Sequence, residues 1–243
     1  MAELIVALDL TSIDKLNRIV AELDGLVDFF KLGIEPLTAM GFKVIEHLKT
    51  QGKRVFVDLK FFDIPKVVHS AVRNLQQYDV DMLTLHTLGG TNMLCAAIDA
   101  RGGSNKPLLM GVTVLTSLSP SESKPLFNRK LEEEVLLLTS LAYECGLDGV
   151  VASPLEVRQI KSKWRDNLLV LTPGIRGTGA SKDDQARILT PYGAAREGAD
   201  FLVVGRPILN ADNPRMVVES MLSDIQRGNN EFRTTIKGTG RDT

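Results

Sequence analysis

The densest run of residues able to do chemistry is Asp58-Leu59-Lys60-Phe61-Phe62-Asp63-Ile64-Pro65, in which two carboxylates bracket a lysine. On a β-strand successive side chains alternate, so Asp58 and Lys60 would point the same way, into the fold, with Leu59 on the opposite face. Opposite charges nearby favour the protonated form of a lysine. Such a lysine is suited to donate a proton, whereas a Schiff-base nucleophile needs a depressed pKa. A lone Asp-x-Lys is as easily a structural ion pair. Asp9 and Lys31, at the ends of two other apolar runs, tilt the reading toward a site.

A second constellation lies late in the chain. Pro173-Gly174-Ile175-Arg176-Gly177 and Val204-Gly205-Arg206-Pro207 each close an apolar run with glycine and arginine. Glycine lets backbone N–H groups approach an anion, and arginine adds a bidentate, charge-assisted contact. Glycines that merely turn the chain would explain either motif alone; the pair reads as a phosphate site. The order Gly174-Ile-Arg-Gly177-Thr-Gly179 is not the dinucleotide fingerprint G-x-G-x-x-G.

These residues need a scaffold that brings them together. Short runs rich in Val, Ile, Leu and Phe read as strands buried on both faces: Leu4–Leu10, Asp28–Gly33, Arg54–Phe61, Met82–Leu88, Pro107–Leu115, Gly149–Ser153, Leu168–Ile175 and Phe201–Ile208. Helical patterns separate them; Ile13, Leu16, Ile19, Val20 and Leu23 form one such stripe. Strand-then-helix, about eight times, implies parallel strands with right-handed crossovers. A closed (β/α)8 TIM barrel is favoured over an open doubly wound sheet, because no switch point is evident. Asp9, Lys31, Asp58, Lys60, His86, Arg176 and Arg206 then fall at or near strand carboxyl ends, the end that carries the active site in such barrels. The Ser- and Pro-rich connection from Thr116 to about Lys130 reads as a loop and lid candidate. One domain, 1–227, is expected, followed by a fraying polar tail, 228–243.

Other features narrow the field. A net charge of -1, from 29 basic and 30 acidic residues, implies no basic face, so neither nucleic acid nor an anionic membrane is an expected partner. Cys95 and Cys145 lack metal-type spacing and read as reduced core thiols of a cytoplasmic protein. The start MAELIVALDL reads as a buried strand rather than a signal peptide, and no apolar run is long enough to span a bilayer. His47 and His69 read as helix-surface residues, Trp164 and Phe61-Phe62 as packing residues, and His86 as either core or site. No cluster has zinc-like spacing and no G-x-S-x-G elbow occurs, so no metal is assigned.

The run Asp58-Leu-Lys60-Phe-Phe-Asp63-Ile64-Pro65 resembles the signature of the orotidine 5'-monophosphate decarboxylases, and the resemblance extends nearly end to end. It includes ALDL at Asp9, FKLG at Lys31, LTS at Thr116-Ser117, PGIR at Arg176, DQ at Gln185 and VVGRPI at Gly205-Arg206. The resemblance implies a metal- and cofactor-free, homodimeric barrel enzyme making uridine 5'-monophosphate. Lys60 would protonate C6 of the pyrimidine as CO2 leaves, flanked by Lys31 and Asp58. Asp63 would enter from the neighbouring subunit, with Ile64 lining an apolar pocket for the departing carboxylate. Asp9 and Lys31 would hold ribose hydroxyls, Thr116 and Ser117 the pyrimidine edge, and Arg176, Gln185, Gly205 and Arg206 the phosphate. Two departures stand out: Lys66-Val67 replaces the family's Asn-Thr after Asp-Ile-Pro, and Gly177 replaces a Pro after PGIR.

Two other readings remain open on the sequence. One is a sugar-phosphate decarboxylase or aldolase-like relative that holds Mg2+ on acidic residues. The other is a phosphate-ligand sensor that binds without turnover. Fold alone does not choose among them.

Overall fold

Eight apolar runs, most of them four to eight residues long, pair in sequence order into a closed parallel barrel in this computed structural model, which describes residues 1–176 and 189–239, the last five as backbone only. The strands are β1 (Glu3–Ala7), β2 (Phe29–Gly33), β3 (Arg54–Phe61), β4 (Met82–His86), β5 (Leu108–Val112), β6 (Gly149–Val151), β7 (Leu169–Thr172) and β8 (Phe201–Val204). The seam closes where β1 pairs β8, with Ile5 opposite Val203. The helices are α1 (Ile13–Glu22), α2 (Ile34–Met40), α3 (Lys43–Thr50), α4 (Pro65–Gln76), α5 (Gly90–Arg101) and α6 (Pro120–Phe127). They continue with α7 (Leu131–Glu144), α8 (Val157–Trp164), α9 (Pro191–Arg196), α10 (Arg206–Leu209) and α11 (Pro214–Thr239). The expected (β/α)8 architecture is borne out, and no open sheet forms.

Strand alternation divides the apolar side chains into two cores. One set, including Ile5, Phe29, Phe56, Met82, Met110 and Leu171, fills the barrel interior. The other, including Leu4, Val6, Phe30, Val55, Val57 and Leu83, packs outward against the helices. Each fully buried side chain of this size contributes roughly 1.5–3 kcal/mol. At the amino end the Arg54 guanidinium lies 4.4 Å over the Phe29 ring and bonds Glu3 and Asp28, closing that end with charge and leaving the other open.

Several boundaries differ from the sequence reading. β2 and β3 end as expected, but β1 and β4 to β8 stop earlier at their carboxyl ends, so Asp9 stands in a connection and Arg206 opens α10. Ile13 is exposed, while Leu16, Ile19, Val20 and Leu23 carry the buried stripe of α1. The Thr116–Lys130 connection is not a plain loop. Ser119 and Glu122 form a reciprocal capping box, Pro120 takes the first helical position, and α6 follows.

The segment from Gly228, read as a fraying tail, continues α11 to Thr239. A Cβ on Gly228 would come within 2.5 Å of the Tyr192 carbonyl, so glycine lets α11 press against α9. Asn229 bonds both backbone groups of Ala2, and Phe232 packs over Gly198. Packing therefore runs past 227. Cys95 is exposed rather than a core thiol, and burial, with Cys95 nearby, pushes the half-buried Cys145 thiol up.

Candidate active site

The carboxyl ends of the strands open on a cavity of about 290 Å³. Its floor is the top of the inner core, Ala7, Phe56, Val112, Val151, Leu171 and Val203. Its walls carry Asp9, Lys31, Asp58 and Lys60 from the first three strand ends, Thr116 and Ser117 after β5, and Gly174, Arg176, Gly205 and Arg206 after β7 and β8. The structure thus brings together nine of the twelve residues singled out as candidates.

Pairing register explains the acidic and basic array. Ala7 sits opposite Lys31 and Gly33 opposite Asp58, which puts three neighbouring strand ends at one level. Lys31 Nζ donates to Asp9 Oδ1 at 3.1 Å and lies 3.6 Å from Asp58 Oδ2. Lys60 Nζ donates to Asp58 Oδ1 at 2.9 Å. The result is a bonded series Asp9–Lys31–Asp58–Lys60 with alternating charge. Burial alone would raise the Asp58 carboxyl; the Lys31 and Lys60 charges, with hydrogen bonds from Lys60 and Thr84, outweigh it and hold the group below its ordinary value.

Simple alternation does not hold along the whole of β3. Its register against β4 shifts between Val57 and Phe61, and Lys60 adopts a left-handed backbone with φ 48. Asp58 and Lys60 still reach the same cavity and Leu59 packs outward, but an irregularity rather than a regular pleat delivers the lysine.

Two candidates, Asp63 and Ile64, stand outside the cavity of their own chain. Ile64 is extended, as a residue before proline prefers, and Pro65 starts α4. Asp63 Oδ1 accepts from the Ile64 backbone at 2.6 Å. Phe62, read as a packing residue, is 62% exposed, and Ile64, Val67 and Leu88 beside it are exposed as well. The Phe62 ring leans on His86 at 5.5 Å. His86 does not line the cavity, and burial, then the charge of Lys60, lowers its pKa. Gln185 and Gly177 lie outside the described residues.

On the opposite wall, the end of β7 is tied down by an isolated bridge from Ile175 to Leu189, with the Arg176 N–H bonding the Leu189 carbonyl at 3.0 Å. Arg176 is buried and Arg206 begins α10. Gly205 eases a close approach: a Cβ there would lie 3.3 Å from Ala7 Cβ and 3.4 Å from Asp9 Oδ2.

Two contributors escaped the sequence reading. A Cβ on Gly33 would stand 3.0 Å from Lys31 Nζ, so that glycine leaves room for the ammonium. Thr84, buried in mid-strand, donates its hydroxyl to Asp58 Oδ1 at 2.9 Å. Neither residue carries a charge, and although Gly33 ends the FKLG run, nothing in its type assigned it a role. Among the described residues no group of three or more His, Cys, Asp or Glu is placed to hold a metal ion, and no helix is long and apolar enough to cross a membrane.

A barrel whose open mouth sets paired lysines and carboxylates across an apolar floor from two arginines is an enzyme scaffold built to receive a small anion. The model of the "Orotidine 5'-phosphate decarboxylase / HUMPS family" matches residues 2–221. A protein of Legionella pneumophila (strain Corby) named orotidine 5'-phosphate decarboxylase is 43% identical over 226 residues, 92% of this chain and 99% of its own. One of that name from Carboxydothermus hydrogenoformans is 44% identical over 229 residues, 92% and 95% of the two chains. A crystal structure of orotidine 5'-phosphate decarboxylase from Lactobacillus acidophilus superposes with a TM-score of 0.80 at 36% identity, covering 91% of this chain and 98% of that one. The chain belongs to the orotidine 5'-phosphate decarboxylase / HUMPS family.

Proposed function

We propose that the protein decarboxylates orotidine 5'-phosphate to uridine 5'-phosphate, with Lys60 supplying the proton. The observation that carries this reading is the bonded series Asp9–Lys31–Asp58–Lys60 above an apolar floor, in a chain of this family. In the reaction the bond from C6 to the carboxylate breaks, its electron pair stays on C6, and CO2 leaves. The C6 carbanion has no external electron sink, so a fixed ammonium directed at that carbon stabilises it and then delivers the proton. Asp58 holds Lys60 in place and sets negative charge beside the substrate carboxylate.

Arg176 and Arg206, with the approach cleared by Gly174 and Gly205, suit a phosphate remote from the reacting carbon. Binding energy spent there can hold the pyrimidine against Lys60. Thr116 and Ser117 are assigned to the pyrimidine edge, Asp9 and Lys31 to the ribose, and Gln185 to the phosphate. The reading needs no metal or cofactor. Among the described residues, the two carboxylates that line the cavity, Asp9 and Asp58, are bonded to ammonium groups, which favours this reading over Mg2+ chemistry at the same place.

The protein acts in this reading as a homodimer, in the cytoplasm, with Asp63 and Ile64 entering the partner's cavity. Support comes from their position outside their own cavity, amid exposed Phe62, Val67 and Leu88. Mixing inactive Lys60→Ala and Asp63→Ala chains should restore one intact site per mixed dimer; a mixture as inactive as its parts counts against shared sites.

The primary test follows the loss of orotidine 5'-phosphate absorbance with and without EDTA, beside Lys60→Ala. Chelator-resistant turnover that the variant abolishes is the expected result. A folded protein that binds the nucleotide without turnover would instead be a sensor. EDTA-sensitive turnover of a sugar phosphate would turn the reading to the metal-dependent relatives.

A further inference from the structure

The irregularity in β3 has one residue facing it. Val57 pairs with Leu83 and Phe61 with Leu85, so Asp58, Leu59 and Lys60 stand opposite Thr84 alone. A regular ladder would give each of these backbone groups a partner on β4; here a side chain substitutes for it. The Lys60 N–H donates to Thr84 Oγ1 at 2.9 Å, and the Thr84 hydroxyl donates to Asp58 Oδ1 at 2.9 Å. That same carboxylate oxygen receives the Lys60 ammonium at 2.9 Å.

The direction of this relay is fixed by valence. A backbone N–H can only donate, so the threonine oxygen accepts there, and its single proton is left for Asp58, whose ionised carboxylate can only accept. Thr84 is 1% exposed, so water does not compete for either bond. The hydroxyl therefore closes a ring: Lys60 backbone, Thr84, Asp58 carboxylate, Lys60 ammonium.

We infer that Thr84 is a positioning residue for the reaction, tying the left-handed backbone of Lys60 to the carboxylate that orients its ammonium. The inference rests on the reading of Lys60 as the proton donor. Thr84 does not line the cavity; it acts through Asp58 and Lys60. Losing it loosens the ammonium, which lowers kcat, and leaves the two arginines that hold the phosphate untouched, which spares KM. It also removes one of the donors that keep the Asp58 carboxyl low, so the acid limb of the rate profile moves to higher pH.

The test measures kcat, KM, the pH profile of kcat and the melting midpoint for Thr84→Val, Thr84→Ser and Thr84→Ala, beside Lys60→Ala. Thr84→Val keeps the shape and drops the hydroxyl. It should lose about 10- to 100-fold in kcat, the effect of one hydrogen bond to a charged group, with KM nearly unchanged and the acid limb moved upward. Thr84→Ser should recover most of the loss. A valine variant with wild-type kcat and an unmoved acid limb overturns the inference. Should the valine variant fail to fold, the serine and alanine variants decide: serine well above alanine supports the role, and equal kcat overturns it. Wild-type turnover that survives in Thr84→Val but not in Lys60→Ala sinks this inference alone, whereas survival in Lys60→Ala sinks the reading beneath it.

Discussion

Asp58→Asn removes the negative charge between two ammonium groups while keeping the side chain's size. Lys60 Nζ lies 2.9 Å and Lys31 Nζ 3.6 Å from that carboxylate. At an effective dielectric near 20 each attraction is gross about 5 kcal/mol. Taking a carboxylate out of water offsets several kcal/mol of that. The loss is softened further, because Lys31 keeps Asp9 at 3.1 Å and Lys60, at 36% exposure, can turn to water. A net destabilisation of about 1–3 kcal/mol follows, below the 3–5 that breaking a fully buried pair costs. For a chain of this size the melting midpoint falls by roughly 2–12 °C. The pH dependence has a definite sign. A carboxyl held below its ordinary value contributes stability above its unfolded pKa, and that contribution is lost as pH falls through the lower folded value. The gap between wild type and variant should be full at pH 7 and shrink below about pH 4. Melting curves from pH 3.5 to 7 by circular dichroism, with turnover at pH 7, are the assay. Turnover should fall roughly 10²–10³-fold, the range for losing a preorganised electrostatic contact. A variant that melts with the wild type at pH 7, or a gap indifferent to pH, would refute the reasoning.

Gly33→Ala tests the room left for Lys31. Backbone φ at this position is -93, which alanine adopts freely, so the fold should hold while the ammonium, 3.0 Å from the new Cβ, is displaced. A fall of about 10-fold in kcat with a nearly unchanged melting midpoint is expected, since small misplacements in a preorganised site are costly; unaltered kcat would show that Lys31 tolerates the shift. Val67→Thr, in the first turn of α4, adds a hydroxyl beside Ile64 on the face proposed to meet the partner. One new hydrogen bond to the substrate ribose should lower KM by about 2- to 10-fold, and unchanged KM and kcat would count against a ribose contact there.

The fold was legible because each strand is an apolar run buried on both faces, and that periodicity survives any error in the ends. The ends themselves were less legible. Hydropathy continues through Leu8-Asp9-Leu10 and Pro207-Ile208 although the ladder has stopped, since loops and short helices at the barrel mouth also pack on the core. Charged site residues announced themselves by type. Thr84 and Gly33 did not, because a threonine in a strand and a glycine at a strand end are ordinary until their neighbours are known. The capping pattern Ser119-Pro-Ser-Glu122 was readable as a helix start, yet the surrounding serines and prolines suggested a loop. The tail misled for a related reason: its Gly228, Asn229 and Phe232 look irregular in sequence and make sense only against Gly198, Ala2 and α9.

The backbone of Lys60 sets stability and activity against one another at a single residue. A side chain in the left-handed region costs roughly 1–2 kcal/mol that glycine would not incur. Selection for a more rugged barrel alone would thus tend to replace this lysine with glycine, discarding the proposed proton donor to relax the chain. The bonds from Thr84 and Asp58 hold the molecule on the functional side of that choice. Engineering for heat resistance in this fold would do well to leave the most strained position in β3 alone, and to seek its gains among the outer helices.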